Sequence, residues 1–493
     1  MSKLGDKLNY GSMKSEAAAS REITQIIPVR SGDNFVENQT IEWELPSNRP
    51  QEFLDMVNNV KLKLPIRFST IAGVVANGGD VILDRGGVYG FVRSFQLTQN
   101  GVVISDLPKT NLLITTLSDF QMSAEYKSTT GRLMEGLEGD VLRGAIIPIG
   151  AAGPTSVVRT FYLSLLSTNL AMTTPHRDLF MGSSAPIIVR LTLESHEVAY
   201  KSVNGATTYR VERPEMHIKT TYLEQPAMDE LNRSVKGKYQ MLCNSYDHMS
   251  ASLPPNASNA HIKLSFAKAS LERIMFVIRE DRTFNVASAG PKYSLGGRDT
   301  GGVLTYQLSI NGQQYPQVPI GATRDADPEG VNYMYHLLAA DNIASNYGQG
   351  TSGLMNSFSV GSATGMNGTT GLSGSGPQIV KANPYVIANS AQDNAGSGVT
   401  SLTPVALGTA LLPTGLSASN VGTFVGAINL EGGLITSGNS PLYSGINSLN
   451  GVDLYIDMTF AGTNTLPCTI DFFALSTEMV YLDDQTNLWS KRS

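Results

Sequence analysis

An all-β fold laid out as two tandem sandwiches is what the sequence predicts, and three observations predict it. First, a short phrase is written twice. "QLTQNGVVISDLP" at 96–108 and "QLSINGQQYPQVP" at 307–319 share Gln, Leu, Asn, Gly and the closing Pro. Second, the segments that follow each copy also correspond. Third, the composition is that of strands and turns, with 48 Gly, 19 Tyr and 16 Phe. At 493 residues and 41% hydrophobic, the chain is too long for one ordinary core and apolar enough for two.

Each phrase is a hairpin in itself. Asn100-Gly101 and Asn311-Gly312 supply the two positive-φ positions of a type I′ turn. After the first comes "NLLITTLSDF", where Leu113, Leu117 and Phe120 lie at helical spacing. After the second comes "VNYMYHLLAADNI", where Val331, Met334, Tyr335 and Leu338 do the same. Further on, "TTYLEQ" (220–225) is echoed by "MVYLDDQ" (479–485). The interval from Asn311 to Tyr481 is longer than that from Asn100 to Tyr222, so the second copy carries an insertion.

In chain order, residues 1–30 are polar and aperiodic and read as an N-terminal arm. The first sandwich is expected over 31–225. It opens with "TIEWEL" (40–45), where Ile41, Trp43 and Leu45 share a face. In "VKLKLPIRF" (60–68), Val60, Leu62, Leu64, Ile66 and Phe68 face a core while Lys61, Lys63 and Arg67 face water. Pro65 removes a ladder donor, which predicts an edge or a bulge. "TFYLSLLS", "PIIVRLTLE" and "YRVERPEMHIKTTYL" continue the strands. A linker over 226–254 contains a short helix at "AMDELNRSV" (227–235). The second sandwich is expected over 255–493, from "HIKLSF" and "LERIMFVIRE" to "GVDLYIDMTF" and "CTIDFFALSTEMVYLD". Units of this length exceed a minimal immunoglobulin-like domain; two tandem eight-stranded jelly-roll sandwiches with long loop insertions fit better.

The insertion is placed at about 345–430. From Asn342 to Leu430 its charged residues are Lys381 and Asp393 alone. Disorder goes with high net charge and few apolar residues. Here Leu354, Met355, Phe358, Met366, Ile379, Val380, Val386 and Ile387 are threaded through Gly, Ser and Asn. Packing against neighbouring copies, as an outer crown, is the expectation.

Candidate chemistry is thin. Lys plus Arg number 36 against 42 Asp plus Glu, a formal charge of −6 with no basic block, so the chain is not built to track phosphates. Cys243 and Cys468 exclude a disulfide framework; two buried thiols are expected, and a single bridge stays compatible. No signal peptide opens the chain and no apolar run is long enough to span a bilayer, so soluble intracellular synthesis is expected. "GQGTSG" (348–353) matches a dinucleotide fingerprint but lacks the flanking strand and helix. "DADPEG" (325–330) sets Asp325, Asp327 and Glu329 as half a calcium loop, but the twelfth position is His336 and not Glu. A surface turn before a helix accounts for it. His176, His196, His217, His248, His261 and His336 show no metal spacing, and His196 and His217 read as structural residues in strands. Asp453 and Asp457 share one strand face and read as solvated carboxylates. No catalytic, cofactor or metal residue is therefore assigned, and no enzymatic activity is expected.

The element order resembles the double jelly-roll major capsid proteins of adenovirus hexon, membrane-containing tailless phages, virophages and polinton-like viruses. "IEWELPSNRPQEFLDMVNNVKLKLPIRF" is similar to that family's opening strand, helical jog and long strand. "SFQLTQNGVVISDLPKTNLLITTL" looks like its hairpin and helix. "SLPPNASNAHIKLSFAKASLERIMFVI" looks like the start of its second roll, and the segments from "INLEGG" to "MVYLD" like its closing strands. The Gly/Ser/Asn-rich insertion matches no family segment. The resemblance implies a virion protein that self-associates as a homotrimer, forming pseudo-hexagonal capsomers of an icosahedral shell. It implies minor capsid and penton proteins as partners, is compatible with an internal membrane, and calls for no direct sequence-specific nucleic-acid binding. The competing class is a surface β-sandwich adhesin or glycan-binding protein; a jelly-roll glycosidase would need two buried carboxylates on one cleft.

Overall fold

The strand that organises the first half is β5 (Val60–Thr70). Val60, Leu62, Leu64, Ile66 and Phe68 have no exposed surface and alternate with half-buried neighbours. The cations between them do not simply face water. Lys61 meets the Ser164 hydroxyl, Lys63 Nζ donates to Glu215 at 2.8 Å, and Arg67 grips both Glu212 oxygens at 2.6 and 3.0 Å. Pro65 is not at an edge. Strand β10 (Ser156–Ser164) pairs on one side, β14 (Thr207–Glu212) and β15 (Glu215–Leu223) on the other. The bulge lies in the partner: Val211 stands opposite Ile66 and Glu215 opposite Lys63, so residues 212–214 face only 64–65. Pro65, with no N–H to donate, occupies the place where the ladder is already interrupted.

The computed structural model describes residues 20–492 apart from several segments, the longest being 71–80, 165–177, 281–294, 323–330, 341–420 and 431–444. In the first half one sheet has four rows, most of them a strand in two pieces. These are β10 with β11 (Leu179–Phe180), β5 with β4 (Glu52–Leu54), β14 with β15, and β1 (Ser20–Pro28) with β2 (Asn34–Val36). The facing sheet runs β3 (Thr40–Glu44), β12 (Ile187–Leu193), β7 (Val92–Gln99) and β8 (Val102–Pro108). A smaller sheet joins β13 (Tyr200–Ser202), β6 (Val81–Asp84) and β9 (Arg143–Ile147). Trp43, Phe68, Phe95 and Leu191 are among the fully buried side chains of the core.

The second half repeats this plan. Its larger sheet runs β16 (Gln240–Leu253), β25 (Cys468–Leu482), then β18 (Leu271–Glu280) in line with β26 (Trp489–Arg492). Beyond these lie β23 (Gly426–Asn429) and β19 (Arg298–Asp299), with β22 (Val421–Gly422) beside β19. Its second sheet runs β17 (Asn259–Leu264), β24 (Leu454–Phe460), β20 (Val303–Ile310) and β21 (Gln313–Gly321). Both four-stranded sheets follow one path: first, fourth, second, third in chain order. Both hairpins turn as expected, with φ of 47° and 80° at Asn100-Gly101 and 50° and 80° at Asn311-Gly312. The likeness ends soon after. Leu308 faces Tyr315 but Tyr306 faces Ile320, so 316–319 bulge out of β21, whereas β8 slips by one residue only. The row-end that β4 fills ahead of β5 is filled in the second half by β26, from the far end of the chain.

Several expected boundaries move. The arm contributes β1, paired with β15 along its whole length; as an outer row it carries polar residues and shows no clear hydropathy alternation. The helix of the linker is α4 (Gln225–Val235), as read, but the rest of the linker is β16, paired with β25 over its whole length. The insertion ends before residue 430, because β23 pairs with Arg273–Phe276 and Phe424, Val425 and Ile428 are buried. The apolar residues assigned to the crown, 354–387, lie outside the described residues.

Among the helices α1 (Thr110–Gln121), α2 (Thr130–Met134), α3 (His196–Ala199) and α5 (Val331–Ala340), α1 buries Leu113 and Leu117 as its spacing predicts. In α5 one of the residues expected to face inward, Tyr335, faces out. Tyr333 and Leu337 are buried while Tyr335 is 66% exposed, and the Tyr333 hydroxyl donates to the Val425 carbonyl at 2.7 Å. A buried hydroxyl with a fixed partner holds Tyr333 inward. Cys243 and Cys468 are both buried and do not bridge: Cys468 faces Leu253, ten residues along β16 from Cys243, or ~33 Å at strand rise.

Candidate assembly surface

The residues examined for chemistry are taken up by structure. Asp453 receives Lys263 Nζ at 2.8 Å and Asp457 pairs with His261, so each carboxylate has its own cross-strand partner. His196 opens α3 instead of lying in a strand, and its ring Nδ1 and backbone N–H both meet Glu37 Oε2, at 2.7 and 2.9 Å. Burial works to raise the Glu37 pKa, yet the hydrogen bonds from His196 hold it below its usual value. His217 lies in β15 beside Glu215 at 3.1 Å. Among the described residues no group of three or more His, Cys, Asp or Glu is placed to hold a metal. No helix among them is long and apolar enough to cross a membrane. His176, 325–330 and 348–353 lie outside the described residues.

Sequence reasoning missed a pair of buried ionic networks on β25. Asp471, 1% exposed, accepts from Arg279 Nε at 2.8 Å and pairs with His248 Nε2 at 2.8 Å. Glu478, also 1% exposed, accepts from Lys268 at 2.7 Å and forms an ion pair with Lys491 at 2.6 Å, and Lys268 reaches Asp247 at 2.6 Å. For Asp471, burial would raise the pKa, but the hydrogen bond from His248 and the Arg279 guanidinium hold it below the ordinary range. Glu478 is likewise held low against burial by Lys268 and Lys491. Burial pulls Lys268 down, and Glu478 with Asp247 more than restores it.

Depressed carboxylates give stability that is complete above the unfolded pKa of ~4 and lost as pH falls through the lower folded value. A raised lysine gives stability that is complete below ~10.4 and lost as pH climbs through its higher folded value. These groups are therefore expected to add a fall in the thermal midpoint of the protein beyond each limit. Asp471→Asn should flatten part of the acid limb; an acid limb of unchanged shape in that variant would remove Asp471 from this account.

Around the same strands the two halves meet. β8 packs against β16 and β26. The Trp489 backbone N–H donates to Gln99 Oε1 at 2.7 Å, the Ser184 backbone N–H to the Asn487 carbonyl at 2.9 Å, and Asn487 Nδ2 to the Gly182 carbonyl at 3.1 Å. Tyr239 stacks on Phe180 with ring centroids 4.0 Å apart and planes 3° from parallel. Two clefts flank the contact. One, of about 540 Å³, is lined by Phe53, Phe180, Leu231 and Tyr239 beside α4. The other, of about 620 Å³, sets Arg93, Lys109 and Arg190 near Glu42, Asp106 and His248.

Solved structures share this fold over most of their length. VP54 of PBCV-1, as fitted into a cryo-EM reconstruction of the virophage Sputnik, is similar with a TM-score of 0.55 and 10% identity, over 98% of this chain and 99% of that one. The fold is the double jelly roll. A quasi-atomic model of the PBCV-1 virus capsid is similar at TM-score 0.52 and 10% identity, over 98% and 99% of the two chains. The Faustovirus major capsid protein follows at 0.50 and 9% identity, over 95% and 91%. No protein-family model matches the sequence, and no curated protein matches it. At such identity what is shared is the double jelly-roll backbone architecture.

Proposed function

We propose that the protein is a viral major capsid protein whose homotrimer forms a pseudo-hexagonal capsomer of an icosahedral shell. The observation that carries this is the end-to-end double jelly roll, shared with capsid proteins over nearly the whole of both chains. The fold supports it physically: two rigid sandwiches side by side offer large, weakly charged flanks for many modest contacts repeated by symmetry. The folding units are placed on either side of α4, and minor capsid and penton proteins are the further partners of this reading. The virion is its location, and shell building, without catalysis, is its role. Light scattering on the purified protein should give three times 52.8 kDa. A stable monomer at high concentration that binds glycans would turn the reading towards a surface adhesin.

A further inference from the structure

The contact inside the chain has two unlike sides. β8, the outer edge of the first half's four-stranded sheet, supplies one; β16, the outer row of the second half's larger sheet, supplies the other together with β26. Each half owns both kinds of side, because the sheet orders match. β21 is the second half's counterpart of β8, and β1 with β2 is the first half's counterpart of β16. Within the chain each half therefore uses one side and keeps the other. Each remaining side carries exposed apolar side chains among polar ones: Val318 is 68% exposed and Tyr315 43% on β21, Ile26 is 58% exposed on β1, beside Arg21 and Glu22, and Val36 47% on β2. Among the described residues no strand pairs beyond β1 or beyond β21. Open edges of this kind invite association unless something covers them.

We infer that β21 of one copy docks against β1 and β2 of a second copy, repeating between chains the contact that β8 makes with β16 inside each chain. The inference rests on the homotrimer proposed above and names its surface. A contact between unlike sides, repeated, either closes a ring or runs on as a filament. Two halves in each of three chains would close a ring of six sandwiches. β8 and β16 pack without a shared ladder, and the bulge at 316–319 keeps β21 from adding as a regular strand, so the contact is one of side chains. "QQYPQVPIG" brings no charge to be stripped of water.

The test uses two full-length variants, Val318→Asp for the β21 side and Ile26→Asp for the β1 side. Both positions are exposed, so each variant should keep the wild-type thermal unfolding of the isolated chain. Light scattering should show each alone falling from three chains to one. Mixed in equal amounts, the variants share one intact pair of sides, β21 from Ile26→Asp and β1 from Val318→Asp. The mixture should form a dimer of one copy of each and nothing larger. Trimers of undiminished stability in both variants would place the contact elsewhere and overturn the inference while leaving the trimer standing. Single variants that are monomeric but give no dimer on mixing would overturn the pairing of β21 with β1. A monomeric wild type would overturn the homotrimer itself.

Discussion

Leu64→Asp and Ile456→Asp are each expected to abolish folding, not merely to weaken assembly. Both side chains have no exposed surface, Leu64 in β5 of the first half and Ile456 in β24 of the second. Losing such a side chain forfeits ~1.5–3 kcal/mol of burial. A carboxylate in its place adds several kcal/mol of desolvation or must be protonated. Against a total stability of ~5–15 kcal/mol, that sum removes most of the margin. The soluble fraction on expression and the circular dichroism melt are the measurements. Leu133→Asp is the control: Leu133 is 71% exposed, and a surface change of this kind is worth ~0.5 kcal/mol or less. Soluble variants at both core positions that still assemble would show that the strand registers are wrong.

Asp471→Asn should cost nearly as much with a far smaller change of shape. The side chain keeps its size, but Arg279, itself 7% exposed, loses the charge that justifies its burial. Breaking one partner of a buried pair costs ~3–5 kcal/mol. For a unit of this size the unfolding midpoint should drop by roughly 6–20 °C. The double variant Arg279→Met with Asp471→Leu should recover most of that loss, because neither charge is then stranded. A midpoint for Asp471→Asn within a degree of wild type would mean that the pair is solvated after all.

What the sequence made plain and what it hid divide along physical lines. The hairpins were legible because Asn-Gly has few conformational alternatives, and β5 and β24 because apolar and polar residues alternate strictly along them. β16 was hidden. "QMLCNSYDHMSASL" sets Tyr246, Asp247 and His248 in a row, and His248 is accommodated by Asp471 and the Phe473 ring on β25, far along the chain. Glu478 looks like a surface position and is a buried counter-ion for two lysines. Hydropathy counts such residues as solvated, so a strand whose polar groups are satisfied by distant partners disappears into a linker. The register of α5 was missed for the same reason, through the Tyr333 hydroxyl. The uncovered sides on β1 and β21 emerge only once the sheet orders of the two halves can be laid side by side.

The place of β26 carries a consequence for how the molecule is made. Every described strand of the first half's sheets lies at or before Leu223, so that half can condense while the rest is still on the ribosome. The larger sheet of the second half waits for β25 and then for Trp489–Arg492, the last described strand of the chain. At ~5–20 residues per second, the roughly 260 residues in between take on the order of 10–50 s to synthesise. During that interval β16 is already made but has no β25 to pair with, so β8 has no seated row to rest on, and Val102 and Val103 stand beside an open edge in a crowded cell. Nascent chains on one message would present that edge to one another before any could cover its own, and the spacing of ribosomes along the message then decides between a finished subunit and an aggregate.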